Sequence, residues 1–285
     1  MPLTIFDEIR SACGELADRA RHVGIDRSRI AAYAASLILD QGRAPSIDRA
    51  HHYIADPEST VAFFLTLDTV NFGSGYFPHL RKKPGLSGYF TIANSLKERF
   101  ETQGPLTAAD LCVLTSSDCR SNFGQVSDGG PVDELMGLFA QALNDLGRFL
   151  ASRFGGRFVG PVEAAGHSAE RLVKLLTEML FFRDTARYAD FTVPFYKRAQ
   201  LTVADLALAL GKEGLGRFDD LDRLTIFADN LVPHVLRCDG ILHYDDSLAA
   251  RVDQGDLIPA GSPEEVEIRA CAVHAVELIT ESRII

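Results

Sequence analysis

A chain of 285 residues lies at the upper end of what one hydrophobic core organises, so it fits either one domain or two closely packed lobes. Its formal net charge of -10 offers no electrostatic basis for gripping a nucleic-acid backbone, and a long DNA or RNA partner is disfavoured. The five cysteines, Cys13, Cys112, Cys119, Cys238 and Cys271, are widely spaced and include no C-x-x-C pair, which argues for reduced thiols over a disulfide framework or a structural zinc site.

The N-terminal region carries Asp7, Glu8 and Glu15 in place of a basic segment followed by an apolar run. No stretch approaches the ~20 apolar residues that a membrane span requires. A soluble, cytoplasmic protein is expected.

His51-His52 is the first motif to suggest chemistry, and a metal is the tempting assignment. Adjacent histidines on a helix point about 100° apart, however, and no H-E-x-x-H or matching third ligand is present, so no metal is expected. One histidine in a base-binding pocket is the more economical use. Asp56-Pro57 then reads as a helix cap with a first-turn proline, ahead of an apolar segment that runs to Phe72. Near its end, Asp68 and Asn71 share one side at i, i+3 spacing, where they serve either as a hydrogen-bonded core pair or as readers of a base edge.

Loops are predicted near residues 73–75, 81–85 and 128–131, where glycine or proline breaks the periodicity. Thr107 precedes an acidic first turn. From Leu135 the apolar positions Leu138, Phe139, Ala142, Leu146, Phe149 and Leu150 form a helical stripe, and Leu172, Leu175, Leu176 and Met179 form another. If the chain divides, the break is expected near residues 155–166. Strand-like text is confined to residues 157–162 and 191–196, enough for a short ribbon. The fold class is therefore mainly α.

Lys197-Arg198 follows two aromatics and opens an apolar helix over residues 201–210. Two cations at a helix start oppose its dipole unless an anion is present, which a substrate phosphate would supply; a surface ion pair with Asp190 or Asp184 is the plain alternative. Residues 211–216 hold three glycines and suit a turn into a second helical segment at 221–227, although their backbone amides are also able to hold a phosphate. Asp229 ends an apolar run four residues before Pro233, the position either of a cap for the next helix or of a carboxylate in a dry pocket. Ser262 with Glu265 reads as a capping box for the last helix. Glu267, two residues before Arg269, reads from position alone as part of that helix's solvated first turn.

Several of these blocks occur together in one family. Asp68-Thr69-Val70-Asn71-Phe72, Ser87-Gly88-Tyr89, Phe182-Arg183-Asp184, Phe195-Tyr196-Lys197-Arg198-Ala199-Gln200, Ala204-Asp205, Phe227-Ala228-Asp229, Glu265-Val266-Glu267-Ile268-Arg269 and Glu277-Leu278-Ile279 resemble, in order, the queuosine 5'-phosphate N-glycosylases of queuosine salvage. The resemblance runs from about residue 51 to 279. It implies a single helical domain similar to the helix-hairpin-helix DNA glycosylases, and hydrolysis of queuosine 5'-monophosphate to queuine and ribose 5-phosphate without a cofactor. After Asp229 the family pattern continues with Tyr-Arg and reaches Pro-Gln, whereas this chain has Asn230, Leu231, Pro233 and His234.

On that resemblance Asp229 is the expected catalytic carboxylate, and Lys197 is expected at the 5'-phosphate. Asp68, Asn71 and Glu267 are expected at the base edge, with Phe72 or Phe191 stacking on the ring and Tyr89 and one of His51 and His52 lining the pocket. Ser262 completes the substrate-binding set. The competing functions are a DNA-repair glycosylase, which the net charge opposes, and a non-catalytic carrier of queuine or its nucleotide.

Overall fold

The computed structural model describes residues 3–37 and 45–284. These residues are mainly α-helical, with two antiparallel two-stranded ribbons: Val23–Ile25 pairs with Leu242–Tyr244, and Thr185–Tyr188 pairs with Phe191–Pro194. The chain forms two compact units. One comprises Met1–Ala44, Asp184–Lys197 and Asp222–Ile285; the other comprises Pro45–Arg183 and Arg198–Leu221. The expected break at residues 155–166 thus lies inside the second unit. No helix among the described residues is long and apolar enough to cross a membrane.

The first unit is organised by two helices, Ile5–Arg19 and Pro263–Ile284, packed on one another. Ile9, Cys13 and Leu16 face Val266, Ala270 and Val273 in a core closed to solvent. Thr4 and Asp7 form a reciprocal capping box at the start of the first of these helices. At the start of the other, the Glu265 N–H donates to Ser262 Oγ at 3.3 Å, one half of the expected capping box; the Glu265 carboxylate accepts the Gly261 N–H at 3.0 Å and the Ser262 N–H goes to the Pro259 carbonyl.

In the second unit the 24-residue helix Pro131–Phe154 is the central rod. It packs against the helices Pro57–Thr69, Ala108–Val113 and Ser116–Asn122. Gly147 permits the closest of these approaches, since a Cβ there would lie 2.6 Å from the Cys112 nitrogen and 2.7 Å from the Ala108 carbonyl oxygen. Helix Pro57–Thr69 begins at the Asp56 cap and is buried at every position from Thr60 to Thr69, the pattern of a helix enclosed on all sides.

Two local expectations fail. Residues 157–162 form no strand: a turn leads into the short helix Gly160–Ala165, because Pro161 sits at its first turn and Gly160 packs against the Phe154 ring. Residues 221–227 form only a single 3-10 turn, Leu221–Arg223, followed by irregular chain. Arginine side chains instead bond to backbone carbonyls in and just after this stretch. Arg10 donates to the Arg223 carbonyl at 2.9 Å and Arg269 to the Ala228 carbonyl at 2.9 Å.

Candidate functional site

In the first unit Asp229 ends this irregular segment just before the helix Leu231–Cys238. Its Oδ1 accepts the Leu231 N–H at 2.9 Å, an Asx-type turn that caps the helix from one residue further out than expected. The side chain is partly exposed, and its Oδ2 is given no hydrogen-bond donor within the protein by this turn. Asn230, Leu231 and His234, the departures from the family pattern, are exposed, and Pro233 is buried in the first turn of the helix.

Asp184 organises the approach to Lys197. Its carbonyl accepts the N–H groups of Phe195 and Tyr196, at 2.9 and 3.1 Å, and its Oδ2 accepts the N–H of Lys197 at 3.0 Å. These bonds hold Tyr196 at a φ of 47°, a left-handed conformation that a tyrosine enters only when its surroundings impose it. The chain then turns directly into the helix Lys197–Leu210, so Lys197 is its first residue.

Arg269 joins these two segments. Its Nε donates to the Ala228 carbonyl, its Nη2 to Asp184 Oδ2 at 2.6 Å and its Nη1 to Glu265 at 3.3 Å, while its guanidinium carbon lies 4.0 Å from the centre of the Phe195 ring. Burial disfavours the charge, but Asp184 and then Glu265 outweigh it, and the pKa of Arg269 is raised.

Glu267 departs from both uses expected of it. It is fully buried, not in a solvated turn. Its Oε2 accepts the backbone N–H groups of Arg21, His22 and Val23 at 3.0, 2.6 and 3.0 Å, and its Oε1 accepts the Tyr188 hydroxyl at 2.7 Å. Burial and then this bond push the Tyr188 pKa up to about 12. The carboxylate is filled from within the protein and serves as an internal cap for residues 21–23, which leaves it unsuited to read a base. Phe191, in the same unit, packs edge-on to Tyr188 and carries the Arg19 guanidinium 5.2 Å above its ring.

In the second unit His52 and Tyr89 meet. His52 Nδ1 lies 2.8 Å from the Asp48 carbonyl oxygen and its Nε2 2.9 Å from the Tyr89 hydroxyl. A carbonyl only accepts, so Nδ1 carries the proton, Nε2 accepts, and Tyr89 donates. Burial lowers the His52 pKa, consistent with a neutral ring. Burial and then the charges of Asp68 and Asp205 raise that of Tyr89, so the tyrosine remains a donor. Asp68 is fully buried at the end of its helix, and the Asn71 N–H donates to its carbonyl at 3.2 Å. His51 is half-buried, stands 4.9 Å from Phe90 ring to ring, and its Nδ1 has no hydrogen-bond partner among the described residues. Phe72 is half-buried, stacked on Phe181 at 5.5 Å and covered by the Arg198 guanidinium at 4.7 Å.

The geometry thus brings forward Asp205 and Arg269, to which the sequence gives no role, and Asp184, which it offers only as an ion-pair partner of Lys197-Arg198. Each stands inside a motif named above, but spacing alone does not reveal its partners. An open hollow of about 670 Å³ on the second unit, between Cys112, Arg148 and Glu178, contains none of the expected site residues.

Comparison with known proteins agrees with the motifs. A family model described as queuosine salvage protein matches residues 51–284. The queuosine 5'-phosphate N-glycosylase/hydrolase of Sphaerobacter thermophilus is 40% identical over 267 residues, which is 92% of this chain and 81% of that protein. Proteins of the same name from Bos taurus and Mus musculus are 29% and 33% identical, over 95% and 68% of this chain and 83% and 58% of their own lengths.

Proposed function

This chain belongs to the queuosine salvage protein family, and from that membership we infer that it is an N-glycosyl hydrolase that cleaves queuosine 5'-monophosphate into queuine and ribose 5-phosphate, returning queuine for use in tRNA. The observation that carries the inference is the 40% identity to a queuosine 5'-phosphate N-glycosylase/hydrolase across 92% of the chain.

Breaking an N-glycosidic bond builds positive charge on the sugar as the base departs. A carboxylate beside the anomeric carbon stabilises that state more than the ground state, and so raises the rate without merely tightening binding. Asp229 takes this role: one oxygen is tethered by the Leu231 N–H, which orients the other. Queuine is a 7-deazaguanine, with carbon where guanine has N7, so protonation at that position is closed to it as a leaving group. Activation must come from hydrogen bonds to the remaining polar edge. Asp68 and Asn71 are assigned to that edge, with Tyr89 and a neighbouring histidine lining the pocket and Phe72 offering an aromatic edge; Glu267 is left out because its oxygens are occupied. Lys197 is assigned to the phosphate, as the first residue of its helix.

One experiment tests both the activity and the phosphate assignment. Wild type and Lys197→Met are incubated with queuosine 5'-monophosphate and, separately, with the nucleoside, and free queuine is measured by chromatography. Wild type should release queuine from the nucleotide; none released would overturn the function. Loss of a charge-assisted bond worth ~1.5–3 kcal/mol should raise the variant's KM for the nucleotide roughly 10- to 100-fold and leave the nucleoside nearly unaffected. Equal effects on both substrates would remove Lys197 from the phosphate.

A further inference from the structure

The chemistry above gives Arg269 no part, yet its guanidinium bonds to both catalytic segments. Its Nε donates to the carbonyl of Ala228, the residue before Asp229. Its Nη2 donates to the same Asp184 oxygen that accepts the Lys197 N–H. The third acceptor, Glu265, comes from the helix that carries Arg269 itself, and the Phe195 ring packs 4.0 Å from the guanidinium carbon and fixes its plane.

A need for stability alone does not account for this arrangement. A buried ion pair adds little over a well-packed apolar replacement, because desolvation offsets most of its Coulombic gain. Pairing also requires only a carboxylate, whereas one of the three bonds goes to a neutral backbone carbonyl. The guanidinium is suited to the task because its N–H groups leave a rigid plane in fixed directions. Acceptors from residues 184, 228 and 265 must therefore take up set positions around that plane. Asp184 passes the constraint on through its bonds to the N–H groups of Phe195, Tyr196 and Lys197, and this network holds Tyr196 in its left-handed conformation.

We propose that Arg269 is a positioning residue that sets the Asp229 carboxylate and the Lys197 end of its helix at the spacing required by the sugar and the 5'-phosphate of a nucleoside monophosphate. The proposal rests on the roles given above to Asp229 and Lys197. Rates are sensitive to such spacing, since a displacement of about 1 Å can cost ~100-fold. Because both ends of the substrate are set by one guanidinium, disturbing it should reduce turnover and also weaken discrimination for the phosphate. Loss of folded protein alone changes neither property of the molecules that remain folded.

The test is Arg269→Lys, which keeps a positive charge opposite Asp184 and Glu265 but lacks the planar fork that also reaches the Ala228 carbonyl. Folding is checked by circular dichroism and a cooperative melt, and kcat and KM are measured for the nucleotide and the nucleoside. The expected result is folded protein with kcat on the nucleotide reduced roughly 30- to 100-fold and the nucleotide-over-nucleoside ratio of kcat/KM reduced about tenfold. Folded protein with kcat and that ratio within twofold of wild type would overturn the proposal. So would a loss of activity that only tracks the folded fraction. If the lysine variant does not fold, Asp184→Asn decides: it keeps an oxygen for the Lys197 N–H but removes the charge that aligns the guanidinium. It should reduce the same ratio about tenfold, and an unchanged ratio would overturn the proposal. Asp229→Asn and Lys197→Met are measured alongside. Wild-type turnover in the former or wild-type phosphate preference in the latter refutes the role on which the proposal depends, whereas defects in both together with an unaffected Arg269→Lys refute only the positioning role.

Discussion

Asp229→Asn should lower kcat on queuosine 5'-monophosphate by roughly 100- to 1000-fold, with KM changed only a few-fold. The magnitude is that of removing one preorganised electrostatic contact to a developing charge, ~2.7–4 kcal/mol; a nucleophilic carboxylate would cost more. Asparagine is the clean substitution because Oδ1 of Asp229 accepts the Leu231 N–H, and an amide oxygen keeps that bond. The entry to the helix Leu231–Cys238 is then preserved, and any loss of rate belongs to the chemistry. Alanine would remove the charge and the cap together, adding ~1 kcal/mol of local destabilisation to the comparison. Selective loss of kcat with KM retained is the signature of an interaction made in the transition state. A folded asparagine variant that releases queuine at the wild-type rate would remove Asp229 from the mechanism.

Glu267→Ala should be among the most destabilising single substitutions in the first unit, costing ~3–5 kcal/mol, although it lies in a segment that spacing alone suggests is solvated. Truncation strips the acceptor from three backbone N–H groups and from the Tyr188 hydroxyl in a site closed to water. Each buried donor left unsatisfied costs ~1–3 kcal/mol, and relaxation or entering water recovers part of the sum. Glu267→Gln keeps one oxygen for the N–H groups and should cost only ~1–2 kcal/mol, the difference between a charged and a neutral acceptor. Urea unfolding followed by circular dichroism measures both. An alanine variant with the wild-type midpoint would show that Glu267 is not the internal cap of residues 21–23. The alanine variant should also lose activity only in proportion to its folded fraction, since no part of the reaction is assigned to this carboxylate.

The helical text was legible wherever its cause is local. The Asp56-Pro57 start, the Thr107 box, the Ser262–Glu265 pair and the stripe from Leu135 to Leu150 all appear where side chains three or four residues apart dictate them. The strand at Phe191–Pro194 was also foreseen, but its partner Thr185–Tyr188 was not, because pairing is a contact between separate stretches of chain. Failures cluster where distant groups compete for the backbone. Residues 221–227 have helical composition, yet Arg10 bonds to the carbonyls of Arg223 and Leu224. Within the candidate site the motifs marked Asp229, Lys197 and Tyr89 by residue type, but they did not show that His52 accepts a hydrogen bond from the Tyr89 hydroxyl or that Asp184 caps three successive N–H groups.

Sequence by itself therefore determined the mainly helical class, most helix ends and, through the order of its motifs, the family to which the chain belongs. These properties depend on neighbours along the chain, which a linear text displays directly. Only the tertiary structure decided what the charged residues of the last helix do. Glu267 and Arg269 are two positions apart and look alike as polar members of one segment, yet one closes on the N–H groups of residues 21–23 and the other joins residues 184 and 228. The physical reason is that a buried charge takes its role from the partners that make burial tolerable, and apart from Glu265 those partners lie 41 to 246 residues away in the chain.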